Sequence, residues 1–269
     1  MLKTRVLTGV IFGLLMLGIF LALPPIGAVI AVSVLVLLGA LEWSHFLQLA
    51  TPARRWIYVE VIVVLAPIAF GSSFSPTGLL WLAMLAGVWW FIAFAWICIA
   101  PHRVNRLLAG IAGLCVLVPA WALLARVLMI TGPIRGSLWV LWLLAVVAGA
   151  DVGAYFVGRT FGRLALAPRV SPNKTWEGLI GGLICGVAIA VVGAAWLGVP
   201  RLGFLWIGLV VVLASAVGDL TESLFKRYAG LKDSGQLLPG HGGVLDRIDA
   251  LTAAVPFFVL GLIWFGFMQ

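Results

Sequence analysis

The sequence predicts an all-α polytopic membrane protein of about nine transmembrane helices with a cytosolic N-terminus. Three observations carry that prediction. Of 269 residues, 64% are hydrophobic and only 10% are charged, whereas a soluble domain carries roughly 25% charged residues. The apolar runs approach the ~20 residues a spanning helix needs and far exceed the ~10-residue alternating segments of a membrane barrel. Finally, the lysines and arginines fall almost entirely on one side of the nine-span topology, as the positive-inside rule requires of cytosolic loops.

Taken in order, the apolar runs cover about 5–23, 25–41, 56–74, 78–100, 107–130, 137–158, 178–199, 203–225 and 250–268. Lys3 and Arg5 precede the first run, which is too long and too well followed by others to be a cleaved leader. Pro24-Pro25 makes the first turn, and the stretch from Ser72 to Gly78 makes the third. Arg135 and Arg201 fall on the non-cytosolic side and Arg126 lies within a span, out of 17 lysines and arginines. Residues 1–136 read as a scaffold of about five spans. Residues 137–269 read as a catalytic region of about four spans, with cytosolic loops at 159–177 and 226–249. Cys98, Cys115 and Cys185 lack metal-ligand or CxxC spacing and read as small core residues. The 13 tryptophans suit interfacial anchoring. The net charge of +8 follows from topology and anionic headgroups, so no nucleic-acid partner is expected.

Glu42 and Glu60 are the acids of the first third. Asp151, Glu177, Asp219, Glu222, Asp233, Asp246 and Asp249 all lie in the second half, on the predicted cytosolic side. Asp219, Glu222 and Lys226 share a helix face at three- and four-residue spacing, with Ser223 beside it. Asp246 and Asp249 share a face at the start of the last span. An unpaired Asp at mid-bilayer costs roughly 2.5–3.5 kcal/mol, so these side chains need water, cations or both. Each acid taken singly is equally readable as part of an interfacial ion pair that ends a helix. As a set they suit Mg²⁺, which binds one or two carboxylates and takes its other ligands from water and phosphates. In "PGHGG", Gly240, Gly242 and Gly243 can bring backbone N–H groups close to an anion, helped by the start of the ninth helix. A flexible turn is the simpler reading of the same glycines. His241 is readable as a structural residue, a phosphate donor or a proton carrier. Gly178, Gly182 and Gly186 recur every four residues, which allows close helix packing. Lys174-Thr175 ends like a Walker loop but lacks its upstream glycines.

Ser223 to Asp249, "SLFKRYAGLKDSGQLLPGHGGVLDRID", resembles the signature of the phosphatidate cytidylyltransferase, or CDP-diacylglycerol synthase, family. The upstream "GDLTE" and "SPNKTWEG" are similar to that family too. The resemblance implies conversion of CTP and phosphatidic acid to CDP-diacylglycerol and pyrophosphate with Mg²⁺, and leaves room for a second, monovalent or divalent, cation. Metal ligation is expected from Asp219 and Asp246, assisted by Asp249 and Glu222. Lys226, Arg227, Lys232 and Arg247 are expected to face phosphate, with His241 and Asp249 also in the catalytic set. Ser171, Lys174 and Thr175, together with Ser223, Gly242 and Gly243, are expected on the nucleotide-binding side. The expected setting is a bacterial inner membrane with a cytosolic active site, with a homodimer as a compatible assembly. Two other readings compete: a CTP-dependent kinase of polyprenol-type lipids, and an ion-coupled transporter.

Overall fold

The structure is a computed structural model. It describes the whole chain except residues 1, 132–133, 238–241 and 269, and the side chains of residues 2–8 and 10. Among the described residues, the chain forms α1 (Leu2–Ala22), α2 (Pro25–Phe46), α3 (Pro52–Ser72), α4 (Pro76–Ile99), α5 (Arg106–Leu128) and α6 (Gly136–Phe161). A hairpin follows, β1 (Ala165–Ala167) and β2 (Ser171–Thr175), then α7 (Trp176–Leu197), α8 (Arg201–Tyr228) and α9 (Leu245–Trp264). Eight of these helices are long and apolar enough to cross a membrane. The described side chains of α1 add a shorter apolar stretch, Ile11–Ala22. The chain is an integral membrane protein.

Local chemistry sets the helix ends. Proline opens α2, α3 and α4, where its missing N–H costs nothing and its φ is already helical. Ser75 Oγ accepts from Gly78 N–H at 3.0 Å, and Asn105 Oδ1 accepts from Leu108 N–H at 2.9 Å, each satisfying an otherwise orphan donor of the first turn. Gly198 closes α7 at φ +71°, a left-handed cap that suits glycine.

Two large apolar clusters and a small one around Leu220 and Leu224 hold the bundle. In one, Trp139 of α6 stacks on Phe204 of α8 at 5.5 Å, and Trp142 of α6 stacks on Phe258 of α9 at 5.3 Å. In the other, Trp43 of α2 packs on Phe46 and on Phe225 of α8. Trp43 Nε1–H donates to Ala109 O at 2.9 Å and Trp142 Nε1–H to Ala190 O at 3.1 Å. These indoles are core pillars, unlike the interfacial anchors the sequence suggested; exposed Trp56, Trp81 and Trp264 keep that option. Cys98 likewise proves exposed, while Cys115 and Cys185 are partly buried.

The helices of the second half pack on one another most closely, with α7 held between α6 and α8. The glycine spacing of α7 explains how. A Cβ on Gly182 would meet Ala150 O of α6 at 2.9 Å, and one on Gly186 would meet Val212 of α8 at 2.5 Å. Only glycine lets the backbones approach this closely.

Three features differ from the sequence reading. The second span was expected to stop at 41, yet α2 runs on through Glu42, Trp43, Ser44 and His45 to Phe46. The ninth was expected to start near 250, yet α9 starts at Leu245 and carries Asp246 and Asp249 in its opening turns. The expected loop 159–177 contains the β1–β2 hairpin, which Glu177 braces by accepting from Leu164 N–H at 3.3 Å.

Candidate active site

A cavity of about 690 Å³ opens among α6, β2, α7, α8 and α9. Its wall carries Asp151, Lys174, Asp219, Lys226, Asp246 and Asp249, with Arg247 beside them. The segments that supply them are far apart in sequence. Strand β2 brings Lys174, and helices bring the others: Asp151 sits in the second half of α6, Asp219 and Lys226 in the last turns of α8, and Asp246, Arg247 and Asp249 at the start of α9.

The charges are arranged as linked pairs. Lys174 of β2 forms an ion pair with Asp219 Oδ2. Lys226 Nζ donates to Glu222 Oε2 at 2.8 Å and to Asp246 Oδ1 at 2.6 Å. Lys226, Glu222 and Asp246 side chains are 12%, 2% and 8% exposed, so this triad is screened little by water. Glu222 lies beside Asp249, within hydrogen-bonding reach, and Asp249 also stands within electrostatic reach of Asp219. Among the described residues, buried Glu222 Oε1 meets no donor besides the neighbouring Asp249 carboxyl.

Asp246 and Asp219 are held very differently. Asp246 Oδ2 accepts from Gly243 N–H at 2.7 Å, from Ser234 N–H at 3.0 Å, and faces Ser234 Oγ at 2.9 Å. With Lys226 on Oδ1, nearly all its acceptor capacity is filled, and its orientation is fixed. Asp219 forms an ion pair with Lys174, and its side chain remains 36% exposed. A carboxylate offers about four acceptor sites, so Asp219, on the cavity wall, has oxygen to offer beyond its pair with Lys174.

This donor set fits a hard divalent ion. Such an ion needs only one or two carboxylates when water and phosphate complete its shell, and Asp219 supplies open carboxylate oxygen. Glu222, buried beside Asp249, is a second place where positive charge would be stabilised. Among the described residues, no group of three or more His, Cys, Asp and Glu forms a ready metal cage.

The remaining expected residues divide by position. Lys174 and Thr175 line the cavity, but Thr175 Oγ1 also caps α7 by accepting from Gly178 N–H at 3.1 Å. Ser171 lies on β2, buried Ser223 lies on α8, and Arg227 and Lys232 are exposed; none of the four is on the cavity wall. Gly242 adopts φ +79°. The anion that Gly243 N–H meets is the chain's own Asp246. His241 lies outside the described residues. Sequence reasoning missed Ser234, which donates to Asp246, and gave no separate role to Asp233, one of the second-half acids, which lines the cavity. It also passed over Glu42, which accepts from Val244 N–H at 3.0 Å and Leu245 N–H at 2.7 Å at the start of α9.

Fold and site together define a helical integral membrane protein with a charged, water-accessible cavity at one end of its bundle. The cytidylyltransferase family model matches residues 3–265. A Pseudomonas aeruginosa protein named phosphatidate cytidylyltransferase is 40% identical over 98% of this chain and 97% of its own length. One of the same name from Haemophilus influenzae is 37% identical over 96% of this chain and 97% of its own. A Brucella suis protein, again of that name, is 48% identical over 46% of this chain. The chain belongs to the cytidylyltransferase family.

Proposed function

We propose that the protein converts CTP and phosphatidic acid to CDP-diacylglycerol and pyrophosphate at this cavity, with Mg²⁺ as the divalent ion. The observation that carries the site reading is the convergence of Asp219, Lys174, Lys226 and Asp246 on one cavity from three separate elements. Nearly full-length similarity to the two proteins named phosphatidate cytidylyltransferase supports the choice of substrates.

A phosphate oxygen of the lipid attacks the α-phosphorus of CTP. A new P–O–P bond forms, the α–β anhydride bond breaks, and pyrophosphate carries off the electron pair. The attacking phosphate is already ionised, so no covalent nucleophile and no obligatory general base is required. The difficulty is that both reactants are polyanions, and catalysis is mainly positioning and charge stabilisation. Mg²⁺ bound at Asp219, with Asp249 near it, would neutralise charge on the phosphates. Lys174 and Arg247, both on the cavity wall, are placed to bind phosphate oxygens. Lys226 balances Glu222 and Asp246, which keeps the acid cluster from repelling the nucleotide. The fatty-acyl chains stay in the bilayer. The lysine and arginine asymmetry supports a cytosolic cavity mouth, and the bacterial relatives support an inner-membrane setting.

The test is incubation of purified protein with phosphatidic acid, Mg²⁺ and CTP labelled on the α-phosphate. The reading expects label in the lipid and one pyrophosphate released per lipid product. Label reaching lipid only from γ-labelled CTP would instead establish a lipid kinase.

A further inference from the structure

Glu42 belongs to α2, and no step of the reaction above uses it. Its side chain is nonetheless buried, at 4% exposure. A carboxylate removed from water needs strong donors, and among the described residues those of Glu42 come from the segment that leads into α9. Val244 N–H donates to Oε1 at 3.0 Å and Leu245 N–H donates to Oε2 at 2.7 Å. These are among the orphan amides of the first turn of α9. Val244, at the N-cap position, has no side-chain cap to offer them. Glu42 is therefore a helix cap supplied from a distant helix, and its charge sits at the positive end of the α9 dipole.

The same carboxylate reaches toward the cavity through one hydroxyl. Ser234 Oγ lies 3.0 Å from Glu42 Oε2 and 2.9 Å from Asp246 Oδ2. It has a single proton to give, so it links the two carboxylates as alternative acceptors. The backbone on both sides is moulded to Glu42. A Cβ on Gly235 or on Gly243 would come within 2.8 or 2.6 Å of the Glu42 carboxyl carbon. The glycines of this segment thus make room for a carboxylate from the first third of the chain.

We propose that Glu42 is a positioning residue for cytidylyl transfer. It fixes the first turn of α9 and Ser234, and through them the orientation of Asp246 toward Lys226 and the cavity. The inference rests on the reading of Asp246 as part of the active site.

The test uses the full-length protein in lipid nanodiscs with phosphatidic acid, comparing Glu42→Gln, Ser234→Ala, the double variant and Asp246→Asn. Glutamine keeps the size of Glu42 but turns an amino group toward donors. We expect kcat to fall at least tenfold in Glu42→Gln, with KM for CTP within threefold of wild type. The double variant is expected to be no slower than Glu42→Gln, because both changes cut one path to Asp246. Hydrogen exchange at the Val244 and Leu245 amides should speed up at least tenfold in Glu42→Gln. Ser234→Ala, which leaves the α9 cap in place, keeps the test alive if Glu42→Gln folds poorly: it should lose at least threefold in kcat. Wild-type kcat in folded Glu42→Gln, unchanged amide exchange, or multiplicative losses in the double variant would each overturn the proposal. If Asp246→Asn is inactive while Glu42→Gln is normal, only the role of Glu42 fails. If Asp246→Asn is fully active, the underlying site reading fails.

Discussion

Replacing Lys226 with methionine keeps its apolar stem and removes its charge. At 2.6 and 2.8 Å from two carboxylate oxygens, and with an effective dielectric constant of about 20, each contact carries about 6 kcal/mol of Coulomb attraction before desolvation. Stripping water from three ions costs several kcal/mol apiece, so the intact triad adds little net stability. Breaking it is a different matter. Asp246 keeps its Gly243 and Ser234 donors, but Glu222, 2% exposed, loses its counter-charge and must stay ionised or take up a proton. An ordinary carboxyl group costs about 4 kcal/mol to protonate at pH 7 and about 1.4 kcal/mol at pH 5. That ceiling agrees with the ~3–5 kcal/mol seen when one partner of a buried pair is removed. Lys226→Met is therefore expected to destabilise the fold by about 4 kcal/mol at pH 7, and by only about 1–2 kcal/mol at pH 5. Protons bind the folded variant more readily than its unfolded chain, so its stability rises as pH falls through this window. Equilibrium unfolding in mixed detergent micelles, followed by tryptophan fluorescence, measures both values. A loss below 1 kcal/mol at pH 7, or an equal loss at both pH values, would refute the buried-triad reasoning.

Other perturbations probe the frame around the cavity. Gly182→Val should push α7 off α6, where a Cβ already meets Ala150 O at 2.9 Å, and cost about 1–3 kcal/mol in the same unfolding assay. Trp139→Ala, removing a side chain 1% exposed, should cost about 3–5 kcal/mol. Thermal denaturation in detergent should place it well below wild type. Thr175→Ala loses the α7 cap and should cost about 1 kcal/mol, whereas Thr175→Ser should stay near wild type; differential scanning calorimetry separates the two.

The spanning segments were legible because lipid leaves the backbone few options, and long apolar runs follow directly. Their ends were less so. The apolar runs stop at an acid, the second just short of Glu42 and the ninth just after Asp249, but a helix continues wherever the acid finds donors inside the protein. The donors of Glu42 are the Val244 and Leu245 amides and the Ser234 hydroxyl, and no local pattern announces a partner so distant in sequence. The same contact explains why glycines read as a phosphate cradle also serve a second purpose. Gly243 presents its N–H to Asp246 and its bare Cα to Glu42. The hairpin was illegible for another reason: β1 spans only Ala165–Ala167, too short for an alternating pattern to register. The acids of α8 and α9 were legible as a group because charge in so apolar a sequence is expensive. Their pairing with Lys174 and Lys226 was only half visible. Glu222 and Lys226 sit one helical turn apart, while Lys174–Asp219 and Lys226–Asp246 join separate elements.

Cytidylyl transfer as proposed requires carboxylates from separate helices to gather positive charge where nucleotide and lipid phosphate meet. The most direct measurement is the initial rate of α-label transfer from CTP to phosphatidic acid by Asp219→Asn, followed across Mg²⁺ concentration. Asp219 pairs with Lys174 at the cavity and is 36% exposed, so the variant should fold yet run at least a hundredfold slower at every Mg²⁺ concentration. A wild-type rate with a wild-type Mg²⁺ saturation curve would contradict it.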